Sequence, residues 1–190
     1  HPLCRRQRQM CIRDRMQGAF TTIAKSKIPT IALAHGFCIG GATSLVSACD
    51  IRLATKDAKF SIGETKLGLV ADVGVIQRMP KIVSSGDMNE LALTGRIFDG
   101  EHAEKIRFVS KVYENSDDLF EAGEKLANEI SSNSKRIVQA TKEALEKSSN
   151  LTVDQGLEYA KLWSTSFLVS EDLREGVMAF LEKRDPKFNE

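Results

Sequence analysis

The sequence has little of what marks the specialised protein classes. Cysteine is scarce, with four residues in 190. That is too few for a disulfide scaffold, and the four form no CxxC pair or metal-ligand cluster. Net charge is nearly absent, because 27 basic residues stand against 26 acidic ones. A dedicated nucleic-acid binder would carry a basic excess. A clean membrane span is also missing. The longest stretch without a charge, Ile28 to Cys49, has 22 residues, which is bilayer length. It holds Pro29, His35, three glycines and four hydroxyl residues, a composition that argues against a membrane helix. What the chain does have is a 42% apolar fraction, too high for a disordered chain. Its length suits one ordinary domain with a real core. Composition therefore predicts a soluble globular protein with neither nucleic acid nor a membrane as partner.

The charge is unevenly spread. Residues 1–15 carry Arg5, Arg6, Arg8, Arg13 and Arg15 against the single acid Asp14, together with two of the cysteines. No apolar period runs through them. The remaining residues hold 22 basic and 25 acidic side chains, a net charge of −3. The arm fits three origins: a basic tail, a targeting peptide, or a remnant of cloning or sequence assembly. It opens on His1 rather than Met and lacks serine, which favours the remnant. The expected organisation is therefore an arm at 1–15, an α/β core at 16–130 and a helical region at 131–190.

Beyond the arm, Gln17 to Lys25 reads as the end of a helix, with Phe20 and Ile23 on one side. Thr30–Ala34 has strand length, and His35 to Gly41 is a glycine-rich loop. Ala42, Leu45, Val46 and Cys49 then fall at the spacing of one buried helix face. Two short strands follow at 51–55 and 59–62, then a glycine-rich loop at 63–74 and a short helix that ends before Pro80. Later segments read as helices at 87–93, 101–106 (with Asp99 as the N-cap region), 116 onwards, 134–148, 153–169 and 171–183, with a last strand at 108–113. Ser116 and Ser170 are the expected caps of their helices.

Few residues stand out chemically. Gly40-Gly41 lies at a strand-to-helix junction, where close backbone approach and free helix N–H groups can hold a phosphate or a developing oxyanion. By itself the pair is weak evidence, and a tight turn that simply needs glycine is the better explanation of it. Glu64 and Asp72 are eight residues apart in GETKLGLVADVG. Acids in so apolar a segment suggest acid–base work, because carboxylates are seldom desolvated without a task or partner. The alternative is a solvated Glu64 and an Asp72 that caps the next helix. His35 has no nucleophile at a useful spacing, and Cys38 and Cys49 read as buried thiols.

The segment HGFCIGGATSLVSACDIRLATKDAKFSIGETKLGLVADVGVIQRMPK, with NELALTGRIFDGEHAEKIRFVSKVYE and EGVMAFLEKRDPKF, resembles the crotonase (enoyl-CoA hydratase/isomerase) superfamily. The resemblance covers nearly everything after residue 16. It implies an α/β fold: a ββα spiral core with a C-terminal helical trimerisation region. It implies an acyl-CoA thioester as substrate, with coenzyme A as part of that substrate and no separate cofactor or metal. It also implies a homotrimer or a dimer of trimers. Members stabilise a thioester enolate with two backbone N–H groups. One donor corresponds to Gly41. The other belongs to an A-G-x-D-like motif on an earlier strand that this sequence does not contain. Losing one such donor costs on the order of 3 kcal/mol of transition-state stabilisation.

The resemblance also assigns the acids. Hydratases of the family use two Glu: one matches Glu64, and the other falls on Ser44. The dienoyl-CoA isomerase branch carries Asp at the Ser44 position and a further Asp in an A-D-V-G segment, which Ala71-Asp72-Val73-Gly74 matches. Glu64 and Asp72 are thus the implied proton-moving pair of an isomerase, with Gly40, Gly41 and Ser44 lining the substrate. Phe180 and Lys183 match residues near the adenine end of coenzyme A, although Phe180 could equally be core and Lys183 a solvated face. A hydratase that uses Glu64 alone and a catalytically weak acyl-CoA binder are the competing readings. The implied compartment is cytoplasmic, or mitochondrial or peroxisomal in a eukaryotic cell.

Overall fold

The computed structural model describes residues 2–188, with side chains from Met10 onward. The chain divides into two compact units, residues 1–26 with 30–124 and residues 27–29 with 125–190. The first unit opens on helix α1 (Pro2–Ala24). The stretch read as a separate basic arm is helical and continuous with the segment expected to end a helix. Arg, Gln, Met and Leu are good helix formers, and no proline follows Pro2 before Pro29. The side chains of Arg5, Arg6 and Arg8 lie outside the described residues.

Two strand–strand–helix passages follow. Strand β1 (Ile31–Ala34) leads through Gly36, at φ 63°, into β2 (Phe37–Ile39) and helix α2 (Gly41–Val46). Strand β3 (Ile51–Thr55) leads through a tight turn into β4 (Lys59–Ser61). β1 pairs in parallel with β3, Ile31 opposite Ile51, while β2 pairs in parallel with β4, Phe37 opposite Lys59. Each pair of strands therefore belongs to two sheets at once, and successive passages stack in register. This is the ββα spiral that the resemblance implied. β4 continues into a 3₁₀ turn (Gly63–Leu67), and the chain then forms α3 (Val75–Arg78) and α4 (Ser85–Thr94). Strand β5 (Phe98–Asp99) runs antiparallel to β4, and β6 (Lys111–Tyr113) adds in parallel to β3, after α5 (Gly100–Lys105). The core between the sheets and helices holds Phe60, Phe98 and Phe108, whose rings contact one another, with Ile62, Val75, Met79 and Leu91.

Several local expectations change. The glycine loop at 35–41 contains a strand, β2, and the expected strand at 108–113 shortens to β6 because Arg107 turns at φ 63° and Phe108 goes into the core. On α2 the buried face is Thr43, Ser44 and Val46, while Leu45 stays 36% exposed. A count of apolar spacings misses this, since Thr43 is buried by donating to the Cys38 and Ser61 carbonyls. Helix α6 (Ser116–Ser131) is capped by Asn115 rather than Ser116: Asn115 Oδ1 accepts from the Asp118 N–H at 2.9 Å. Asp99 caps α5 as expected, through the His102 N–H.

In the second unit α7 (Lys135–Ser148) packs on α8 (Val153–Phe167), and α9 (Glu171–Glu182) follows. Ser134 caps α7 and donates to Asp172 at 2.7 Å, and Ser170 caps α9. Tyr159 donates to Glu143, and Trp163 stacks on Phe167 along α8. The Arg184 guanidinium and the Lys187 N–H hold the Glu175 carboxyl down at about 2, which keeps it ionised. Among the described residues no helix is long and apolar enough to cross a membrane.

Candidate active site

The site starts where β2 meets α2. Gly40, at φ 58°, turns the chain out of the strand while its N–H bonds the Ser61 carbonyl at 2.9 Å. That backbone region suits glycine. Gly41 is the first residue of α2, and first-turn N–H groups have no acceptor within their own helix. The two Thr43 bonds described above tie this helix start to β2 and β4. Cys38, beneath it, is buried, and burial pushes its thiol up to about 11 despite the Thr43 contact. It is therefore a neutral packing group rather than a nucleophile.

Glu64 stands in the 3₁₀ turn after β4. A Cβ built on Gly40 would lie 3.4 Å from Glu64 Oε1, so the carboxyl lies against the bare α-carbon of Gly40. Glu64 Oε2 is buried with no protein partner. The turn under it is fixed from both ends. Its Thr65 hydroxyl donates to the Ala92 carbonyl at 2.6 Å, and the Leu69 N–H returns to the Glu64 carbonyl at 3.0 Å, across Gly68 at φ 70°. Glu64 is thus half-buried and aimed at the glycine pair rather than solvated.

Asp72 does not cap α3. The N-cap is Gly74, at φ 116°, and no side chain bonds the helix start. Asp72 instead meets α1: Arg13 Nε lies 2.7 Å from its Oδ2, and Gln17 donates to its carbonyl oxygen. Met16 of the same helix reaches to 3.9 Å from a Cβ built on Gly41. Gln17 and Thr21, one turn apart on α1, both serve this region, for the Thr21 hydroxyl accepts from Arg78 at 3.2 Å. Sequence reasoning passed over both. Their i, i+4 spacing was the one available signal, and it is common on any helix.

Ser44 is fully buried, and its hydroxyl has no protein partner. Phe180 and Lys183 belong to the second unit. Phe180 is 82% exposed, so it is not core, and it borders an apolar groove of about 530 Å³ with Val177, Leu181 and Phe188. Lys183 is the C-cap of α9, at φ 53°. The structure therefore brings Glu64 to Gly40-Gly41 and places Asp72 nearby in sequence under the hold of α1. No group of three or more His, Cys, Asp or Glu among the described residues could hold a metal. Within the first unit the arrangement offers two carboxyl groups and a helix-start N–H, the components needed to move protons beside a stabilised oxyanion.

Comparison with known proteins agrees with this geometry. A model of the family described as enoyl-CoA hydratase/isomerase matches residues 2–190. The chain is 49% identical over 174 residues to a mitochondrial Delta(3,5)-Delta(2,4)-dienoyl-CoA isomerase of Dictyostelium discoideum, covering 92% of this chain and 59% of that relative. It is 43% identical to a peroxisomal Delta(3,5)-Delta(2,4)-dienoyl-CoA isomerase of Arabidopsis thaliana, covering 91% of this chain and 62% of the relative. The chain thus spans about three fifths of the length of these two relatives. Its fold overlays the crystal structure of an enoyl-CoA hydratase from Bacillus anthracis with a TM-score of 0.90, at 28% identity, covering 96% of this chain and 70% of that one. With its stacked ββα passages and a family match along almost its whole length, the chain belongs to the enoyl-CoA hydratase/isomerase family.

Proposed function

We propose that this chain shifts a pair of double bonds along a dienoyl-CoA thioester, as the names of its relatives describe for them. The observation that carries the reading is the Glu64 carboxyl lying against Gly40 with its Oε2 buried and unpaired, in the same segment as Asp72. A 3,5-diene becomes a 2,4-diene when one proton leaves the carbon beside the thioester and another arrives at the remote end. One carboxylate removes the first proton. The electron pair of that C–H bond passes into an enolate, whose oxygen the Gly41 N–H stabilises. The second carboxyl, protonated, gives its proton to the far carbon as the double bonds move. One proton is taken and one returned, so no oxidant or cofactor is required, and coenzyme A enters as part of the substrate. A hydratase needs a second carboxylate to activate water. The position the resemblance assigns to it holds the fully buried hydroxyl of Ser44, where the isomerase branch lacks its Asp as well, so it is Asp72, in Ala71-Asp72-Val73-Gly74, that favours the isomerase.

The test uses a chain of the relatives' full length carrying these residues. Asp72→Asn and Glu64→Gln should each lower turnover of a 3,5-dienoyl-CoA by about 10²–10⁴-fold, the usual worth of a positioned acid or base, followed by the absorbance of the conjugated product. Undiminished turnover in Asp72→Asn rejects the assignment. Hydration of a trans-2-enoyl-CoA with no action on the diene would favour a hydratase that works through Glu64. Of residues 1–15, Arg13 reaches the proposed pair, through its ion pair with the Asp72 carboxyl. The proposed assembly is a homotrimer or a dimer of trimers, and the proposed compartment is the mitochondrion or peroxisome, after the relatives' names.

A further inference from the structure

Asp72 sits on a turn with little support of its own. Gly74 caps the following helix without a side-chain bond and holds φ 116°, a conformation open to glycine. What occupies the space beside this turn is the guanidinium of Arg78. A Cβ on Gly74 would lie 1.8 Å from Arg78 Nη1 and 2.9 Å from its Cζ. Nη1 donates to the Val73 carbonyl at 3.4 Å, Nη2 donates to the Thr21 hydroxyl at 3.2 Å, and the Arg78 N–H closes on the Gly74 carbonyl at 3.1 Å. Gln17 of α1 bonds the Asp72 carbonyl, and Arg13 of the same helix pairs with the Asp72 carboxyl at 2.7 Å. The turn that carries Asp72 is therefore gripped by α3 through Arg78 and by α1 through Gln17, and Thr21 links the two.

We propose that Arg78 is a positioning residue for Asp72: its planar fork bridges Val73 and α1 and so fixes where the Asp72 carboxyl can meet a substrate carbon. The role rests on the isomerase reading above. It depends on the shape of the group as well as its charge. A guanidinium directs two N–H groups at two separate acceptors, whereas a lysine ammonium is a compact point charge on a flexible stem. A Cβ at residue 74 would push the fork aside, in addition to having to hold φ 116°.

The experiment runs the full-length protein in deuterium oxide from each side of the reaction, with a 3,5-dienoyl-CoA and separately with a 2,4-dienoyl-CoA, and follows deuterium entry by NMR at two carbons, the one beside the thioester and the remote one. From the side whose first proton Asp72 does not remove, Asp72→Asn should spare exchange at the first carbon and slow entry at the carbon that Asp72 serves. Arg78→Lys should then reproduce that selective pattern in weaker form. Exchange at the same carbon slows by about 10–100-fold, the effect of an ångström-scale misplacement, while KM stays within about twofold, as expected when binding is untouched. Thr21→Val, a mild change on α1, should show the same selectivity at smaller amplitude and guards against a folding defect in the Arg78 variant. Equal slowing at both carbons from both sides, or unchanged exchange in both variants, overturns the role of Arg78. Failure of the unsubstituted protein to isomerise the diene would already remove the isomerase reading, before any substitution is made.

Discussion

Ser44 is an unusual residue to find at the centre of a helix start. Its side chain is fully buried, and its hydroxyl meets no protein acceptor. A buried hydroxyl without a partner costs about 1–3 kcal/mol. Ser44→Ala should therefore raise unfolding free energy by about 1 kcal/mol, read from the urea midpoint. A loss of stability would mean that the hydroxyl is satisfied in solution. Glu64 and Asp72 were both legible from sequence, because two acids in an otherwise apolar, glycine-rich segment are conspicuous. Their surroundings were only partly legible. The resemblance put Gly40 and Glu64 in one site without pairing them, and the local sequence left Asp72 open between a helix cap and an acid–base group. Its actual partners, Arg13 and Gln17, lie more than fifty residues away on α1, and no local pattern encodes a contact of that range.

Among the elements, the close fit of α5 against the β3–β4 turn makes the sharpest demand. A Cβ on Gly100 would lie 2.0 Å from the Thr55 carbonyl oxygen and 3.0 Å from that of Lys56, while the Gly100 N–H bonds the latter. Both obstacles are backbone and cannot rotate away. Gly100→Ala should cost at least the 1–3 kcal/mol typical of overpacking. Gly123→Ala on α6 should cost less, since the atoms nearest its Cβ belong to the Leu33 side chain, from 2.6 Å, and not to backbone. Denaturant midpoints of the two variants check the order, and a smaller loss at Gly100 would contradict it. Long elements such as α7, α8 and α9 were readable from caps and periodicity. Strands β2 and β5 were not, because three and two residues hold too little alternation to register. They exist because β4 offers both of its edges to them.

At the scale of the whole molecule, apolar surface is the main feature. Helix α8 has no buried residue, and Leu157, Leu162, Leu168, Val169, Phe180 and Leu181 are all exposed. Exposed apolar side chains in this number are what the proposed homotrimer or dimer of trimers would cover. The full-length protein should elute with a light-scattering mass three or six times that of one chain, and a monomer at micromolar concentration would count against the proposed assembly. Composition had announced a globular chain, and the mild charge of the residues beyond 15 is consistent with that. Helical spacing picked out the long helices α7, α8 and α9, but which of their apolar faces stay open is decided by three-dimensional packing.

The stacked register of the strands also bears on the order in which the first unit forms. β1 meets β3 across 20 residues and β2 meets β4 across 22, while β6 reaches β3 only across 58. Closing the longer loop costs about 1 kcal/mol more in chain entropy. The short closures, which bracket Gly40, Gly41 and α2, are thus entropically cheaper than the seal made by β6. Loop entropy alone ranks the glycine corner, and the strand that delivers Glu64 to it, ahead of the last strand in assembly.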